Sequence, residues 1–299
     1  MASARNLALL LGCLLLTASH AALSQQQAAS LSAENLRALL VRMDANMKKN
    51  GKLAEQYTSD ELWHNQNFDK NGKKTVDESA KYENVFVEGL PYRRKVEQNG
   101  KPLAGKAAEE EEKRYEKAVA ERRSMSLQQK RGLLHWETHF SLPLCCLTTL
   151  FENRAVRHEL LNGRDTIVIE SVPKPGAISA NDSEKGALNW KQTTWIDALD
   201  AMPARFEAEL LADHGHMLKG MVVQIGFERI VDTPASADKP EMAVWLAHQA
   251  TSRGPAKVLW TQVSMITTQT WSNYKKFHVD IRLLDDSVQE VPATAAPPK

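Results

Sequence analysis

The sequence predicts a mainly β chain with helices, in the α+β class: an antiparallel meander that must curl or close to bury one apolar face, under a helical cover. Three observations predict it. From Tyr57 onward, extended runs alternate with turn signals such as Asn71-Gly72, Asn99-Gly100 and Asn162-Gly163, whose residues support the positive φ angles of tight hairpins. Ahead of them, Leu36, Leu39, Leu40, Met43 and Met47 recur at the three-four spacing that draws one apolar stripe on a helix. Of the 299 residues, 42% are apolar and 25% charged, the composition of an ordinary globular chain with length enough for a sizeable core.

Charge and hydropathy narrow the function classes. The 38 Lys and Arg against 37 Asp and Glu leave a net charge of +1, so overall charge names no nucleic-acid or membrane partner. A mean hydropathy of -0.43 with only one long apolar run excludes a polytopic membrane protein.

That run opens the chain. Arg5 supplies a positive start, and Leu7 to Leu16 form an apolar core far shorter than the roughly 20 residues of a bilayer span. Small residues suited to cleavage follow in Ser19-His20-Ala21 and Ala22-Leu23-Ser24. Residues 1–24 are expected to be a signal peptide, 25–284 a single domain and 285–299 a disordered tail rich in Ala and Pro. Leu10-Leu11-Gly12-Cys13 looks like a lipoprotein cleavage box, but the leucines run on past Cys13, so lipidation there is not expected. Cleavage leaves Cys145 and Cys146, which are adjacent and poorly placed to bridge each other, so no disulfide framework is implied.

The striped helix is expected to start at a Ser32 cap and to stop at Asn50-Gly51, with Glu34 and Lys48 matched to the helix dipole. Its stripe needs a sheet to lie on. Tyr57 to Gln98 reads as hairpins, with Tyr82 to Val87 and Tyr92 to Val96 an antiparallel pair. Asp69-Lys70-Asn71-Gly72 begins like a calcium loop but lacks the later ligands and the closing Glu, and a plain turn is expected. Leu103 to Arg123, with Glu109 to Glu112, reads as a solvated helix with interleaved charges, its functional alternative being an acidic docking face.

Strand then follows strand. The candidates are Arg154 to Leu161, Thr166 to Val172, Lys191 to Asp197, Ala204 to Leu211, Met217 to Val231, Met242 to Ala250, Lys257 to Thr267 and Thr270 to Leu283. Turns are expected at Asp200 to Pro203, at His214-Gly215 and at Arg253-Gly254-Pro255.

Several of these runs carry a family resemblance. Tyr82-Glu83-Asn84-Val85-Phe86-Val87-Glu88-Gly89-Leu90-Pro91-Tyr92-Arg93-Arg94-Lys95-Val96 leads into Gln98-Asn99-Gly100-Lys101-Pro102-Leu103. Leu161-Asn162-Gly163-Arg164-Asp165 precedes Ile167-Val168-Ile169-Glu170, and Thr194-Trp195-Ile196-Asp197 precedes another strand. Through these runs most of the mature chain resembles the periplasmic outer-membrane lipoprotein-sorting and lipoprotein-carrier proteins, and a group of secreted proteins similar to them. The resemblance implies an incomplete antiparallel β-barrel covered by helices, whose concave face holds acyl chains and whose helices act as a lid. The helix from Ser32 to Met47 would then be such a cover.

The chemistry of single residues is sparse. Met221, Val223, Ile225 and Phe227 line one face of a strand by alternation, and Trp195 and Trp245 sit in other strands. Any half-buried sheet shows that alternation, but the wall of an apolar cavity is expected from this set of six. His135, Glu137 and His139 form one cluster of metal-binding types and Asp213, His214 and His216 another, yet neither has the spacing of a known site, and no metal is expected. Cys145 and Cys146 lie among Leu142, Leu144 and Leu147, where burial would silence a thiol. No nucleophile elbow, phosphate loop or dinucleotide fingerprint occurs, so no catalytic residue and no cofactor is expected.

The expected function is therefore that of an exported, non-catalytic periplasmic carrier for a lipid or lipoprotein acyl chains. The alternative is an envelope scaffold that uses the same barrel to hold a protein partner. Neither involves nucleic acid or a stable transmembrane anchor. A hollow or a filled barrel interior divides the two.

Overall fold

The computed structural model describes residues 31–130, 144, 146–233 and 241–277. The signal segment, the tail, His135, Glu137, His139 and Cys145 lie outside them. The first element is α1 (Ala33–Ala54), capped by Ser32, whose Oγ accepts from the Asn35 N–H at 3.2 Å. It does not stop at Asn50-Gly51 but runs another turn to Ala54.

Four strands follow as hairpins: β1 (Tyr57–Phe68), β2 (Lys74–Val87), β3 (Leu90–Gln98) and the short β4 (Lys101–Pro102). Then come α2 (Gly105–Ser124), α3 (Leu147–Leu150), β5 (Phe151–Leu161), β6 (Arg164–Pro173) and α4 (Asp182–Ala187). The chain continues through β7 (Trp190–Asp197), β8 (Pro203–Leu210), β9 (Val222–Thr233), β10 (Met242–Val258) and β11 (Thr261–Lys276). These strands form one sheet in the order β4-β3-β2-β1-β11-β10-β9-β8-β7-β6-β5. Every pairing is antiparallel. Two meanders are thus joined where β1 pairs with β11, and the edges β4 and β5 stay apart, so the barrel is incomplete.

The sheet curls around α1. That helix packs against both β10 and the edge strand β5. Those strands are five spacings apart, about 24 Å in a flat sheet, whereas a helix is only about 10 Å across. Only a strongly curved sheet brings both to one helix. Leu36, Leu39, Leu40 and Met43 of α1 share one core with Phe151, Ile167, Ile169, Trp190, Ile196, Phe206, Ala208, Leu210, Met221 and Ala256. The stripe read from the sequence is thus the part of the helix that the sheet buries.

Two turns differ from expectation. Arg253-Gly254-Pro255 is no turn: β10 runs straight through it. Gly254, at φ 141, lets two strands approach, since a Cβ there would stand 2.8 Å from the Cα of Met221. The hairpin turns instead at Leu259, a non-glycine residue at φ 54. Consequently the runs read as Met242 to Ala250 and Lys257 to Thr267 are not two separate strands. Residues 242–258 form one strand, and 261–276 the next.

The Glu-rich α2 is not simply solvated. It lies against β2 and β3, with Tyr92 Oη donating to Glu111 at 3.2 Å, Arg94 paired to Glu112 at 2.7 Å and the buried Arg122 donating to the Leu90 carbonyl at 3.1 Å. Part of its acidic run therefore docks the helix to its own sheet.

Candidate functional site

The candidate site is the concave face that α1 covers. Strand alternation places Ile167 and Ile169 of β6, Ile196 of β7 and Phe206, Ala208 and Leu210 of β8 on that face, all buried. Leu39, Leu40 and Met43 of α1 meet them at 7%, 2% and 2% exposure. α1 itself therefore occupies the hollow. Thr194, fully buried on the same face as Ile196, contributes a hydroxyl with no partner among the described residues.

Polar bonds register the second half of α1 at one end of the sheet. Arg42 donates to the Ala198 carbonyl at 3.3 Å and Asn46 to the Asp200 carbonyl at 2.8 Å. Asn50 fills a gap that the sheet leaves. β10 pairs with β11 only from Gln249 onward, while Trp271 to Lys276 of β11 pair with β1 alone. The exposed edge of β10 is met there by the Asn50 amide, which donates to the Trp245 carbonyl and accepts from its N–H, both at 2.7 Å. An asparagine side chain thus does the work of a neighbouring strand, which is why the helix passes through Asn50 rather than ending on it.

Beside this bridge lies a cleft of about 260 Å³, lined by Asn46, Asn50, Asp200, Arg229, Glu241 and Trp245 among others. Asp200 is its hub. Its carboxylate accepts from Arg229 at 2.7 Å and from the Trp245 indole at 3.0 Å, and it pairs with Arg164 at 3.2 Å. Arg164 also grips Asp197, which is 1% exposed. Burial pushes the Asp197 carboxyl up, but the Arg164 guanidinium and the N–H groups of Asp200 and Leu199 outweigh it and hold the group below the usual carboxylate range. The same pairing with Asp197 raises Arg164. The mouth of the hollow is charged and its floor is apolar. Two other described crevices, of about 190 and 340 Å³, are lined largely by polar and charged side chains.

The six residues expected to line a cavity fall on two faces. Met221, Val223 and Phe227 belong to the core under α1. Ile225 shares their face by alternation and is 3% exposed. Trp245 forms a smaller cluster with Met202 and Ala204, packed against Phe227 and Met47 of α1. Trp195 points the other way. It alternates with Trp190, Thr194 and Ile196, and it lies on the convex face beneath Arg205, whose guanidinium carbon is 4.5 Å from its ring.

Sequence reading missed the other half of the concave face. Val263 and Met265 of β11 pack against the main core, so Thr267 and Gln269 share that face. Thr267 donates to Asn65 at 2.9 Å and Gln269 to Glu61 at 3.0 Å. Glu61, only 3% exposed, also receives a two-point grip from Arg93 at 2.8 and 2.6 Å. The curved face is apolar where α1 covers it and turns polar toward β1, along the Thr267 and Gln269 stretch of β11, and at Arg93 of β3. A polar alternation such as Ser59, Glu61, Asn65 and Asn67 was the available signal.

Of the residues with metal-binding or thiol chemistry, His214 and His216 lie in the exposed connection before β9, and Cys146 is half-buried at φ 63 ahead of α3. Among the described residues, no group of three or more His, Cys, Asp or Glu converges. No helix among them is long and apolar enough to cross a membrane.

No family model and no curated protein matches the chain. Solved structures do align with it. A DUF1329 family protein from Desulfovibrio piger is 12% identical, with a TM-score of 0.32 over 83% of this chain and 92% of that one. An outer-membrane lipoprotein-sorting protein domain from Vibrio parahaemolyticus is 13% identical, with a TM-score of 0.33 over 79% and 92%. A LolA superfamily protein from Nitrosomonas europaea is 8% identical, with a TM-score of 0.29 over 79% and 94%. Superpositions at these scores are loose, and the architecture is established by the strand order and register given above. The chain is thus similar to a DUF1329 family protein, to an outer-membrane lipoprotein-sorting protein domain and to a LolA superfamily protein.

Proposed function

We propose that the chain is an exported, non-catalytic periplasmic carrier for an apolar ligand, a lipid or lipoprotein acyl chains, and that α1 is the cover the ligand displaces. The observation that supports this most is the seating of one apolar helix stripe along the concave face. Lifting Leu36, Leu39, Leu40 and Met43 into water costs about 6 to 12 kcal/mol at about 1.5 to 3 kcal/mol per side chain. A methylene returns about 0.8 kcal/mol on burial, so about 8 to 15 of them offset the helix. That is the length of one ordinary acyl chain. Helix and ligand are matched competitors for the same surface, and exchange needs neither cofactor nor metal.

Met221, Val223, Ile225, Phe227 and Trp245 would face the bound chain, and Trp195 would stiffen the sheet from behind. The test is native mass spectrometry and lipid extraction of protein purified from its own envelope, followed by titration with a fluorescent fatty acid. The expected result is a bound lipid or saturable uptake of the probe; a reproducibly empty protein that ignores it refutes the reading. A second reading, an envelope interaction protein without a lipid ligand, is favoured by the occupancy of the hollow by α1. Crosslinking in intact cells that captures one fixed protein partner, with no lipid in the extract, selects it.

A further inference from the structure

The strands β10 and β11, of 17 and 16 residues, are the longest consecutive pair of the sheet, and their turn carries Trp260, the most exposed large apolar side chain among the described residues. Val258, Leu259 and Trp260 are 42%, 87% and 97% exposed. Three consecutive apolar residues in water stabilise nothing in the folded chain. The tip also projects. Phe68, the last residue of β1, pairs with Ser264, so β11 begins three residues earlier, about 10 Å beyond the end of β1. Its base is braced, since Lys257 donates its N–H to the His216 carbonyl at 2.7 Å and Leu218 its N–H to the Pro255 carbonyl at 3.0 Å.

The surroundings of the tip are basic. Register puts the β1–β2, β3–β4 and β8–β9 connections at this same end of the sheet, and they bring the exposed Lys70, Lys73, Lys101 and Lys219 to join Lys257. The first and third of these connections also carry two acids, Asp69 and Asp213, which leaves five lysines against two carboxylates, both held by backbone N–H groups. Asp69 accepts from the N–H groups of Asn71 and Lys73 at 2.8 and 3.0 Å, and Asp213 from that of Lys219 at 2.9 Å. The β6–β7 connection, also at this end, is balanced by Lys174 and Lys185 against Asp182 and Glu184. A net charge near zero for the whole chain thus conceals a local excess of cations around an indole and a leucine.

We propose that this tip is a docking point for an anionic lipid surface, with Trp260, Leu259 and Val258 entering the headgroup layer and the lysines facing lipid phosphates. Trp seats at membrane interfaces because its ring is apolar and its N–H polar. Binding through shallow apolar insertion plus basic side chains sums two weak terms and stays reversible. The inference rests on the tip alone and stands whether or not a lipid enters the hollow.

The test is cosedimentation of the host-processed protein with vesicles of phosphatidylglycerol and phosphatidylcholine, against phosphatidylcholine alone, at low and high salt. The expected result is binding to the anionic vesicles that weakens with salt and falls about tenfold or more in the variant L259S/W260S, whose thermal melt stays that of the parent. L199S is the control. Leu199 is 81% exposed in the β7–β8 turn at the opposite end of the sheet, and its variant should bind as the parent does. Absence of binding, equal binding to neutral vesicles, or undiminished binding by L259S/W260S overturns the proposal. So does a dimer in sedimentation equilibrium that L259S/W260S dissolves while no vesicle is bound.

Discussion

Truncating Leu40 separates a displaceable cover from a permanent core helix. Leu40 is 2% exposed and packs in the core shared by α1 and the concave face. Leu40→Ala removes methyl groups from a site that cannot fully collapse, at a cost of about 2 to 5 kcal/mol to the closed state. With α1 lifted, the same side chain is in water and the substitution costs almost nothing. The closed state alone is weakened. If ligand enters only when α1 moves, apparent affinity follows the open population, and a shift of about 3 kcal/mol gives about 150-fold tighter binding until the open form predominates. The assay pairs urea unfolding with titration of a fluorescent fatty acid. Leu90→Ala is the matched control, since Leu90 is 1% exposed beside Tyr92 on the α2 side of the sheet. It should lose comparable stability and gain no affinity. If Leu40→Ala lowers the urea midpoint while probe affinity stays at the parent value, α1 does not act as a cover and the exchange argument is refuted.

Three further outcomes follow from the same contacts. Arg93→Leu leaves the buried Glu61 carboxylate with Asn84 and Gln269 alone, and should cost about 2 to 4 kcal/mol in urea unfolding, less than full loss of a buried pair because those two bonds survive. Asp197 is held low in the folded chain, so its contribution is complete above the unfolded carboxylate range and disappears as pH falls through the depressed native value. Acid unfolding of Asp197→Asn should accordingly be flatter than that of the parent, and an identical profile would count against the Arg164 grip. Gly254→Ala forces a Cβ to 2.8 Å from the Met221 Cα at a φ of 141 that L-residues avoid, and should lower stability by about 1 to 3 kcal/mol in thermal melts.

The elements that were legible in sequence are those whose stabilisation is local. The α1 stripe follows from three-four spacing, and the β1–β2 and β3–β4 turns from Asn-Gly. What was illegible depends on distant partners. Arg253-Gly254-Pro255 has turn composition, yet its glycine answers to Met221, thirty-three residues earlier in the chain, and Leu259 turns the hairpin with no residue that announces it. Asn50-Gly51 looks like a helix stop because the Asn50 side chain is needed by a strand edge that sequence does not reveal. Alternation placed Met221, Val223, Ile225 and Phe227 on one face correctly with respect to each other. It could not place Trp195, because the phase of one strand says nothing about which side of the sheet another tryptophan meets.

The pairing of the first strand with the last has a kinetic consequence. Glu61 and Gln269, bonded across β1 and β11, are 208 residues apart in the chain. A polypeptide delivered amino end first holds β1 with one edge bare until nearly its whole length has arrived, and contacts of such long range form slowly. Nascent or shortened forms that lack β11 would present two unsatisfied borders, β1 and β10, each able to recruit another copy. A chaperone that shields the early hairpins during delivery would spare the protein that fate.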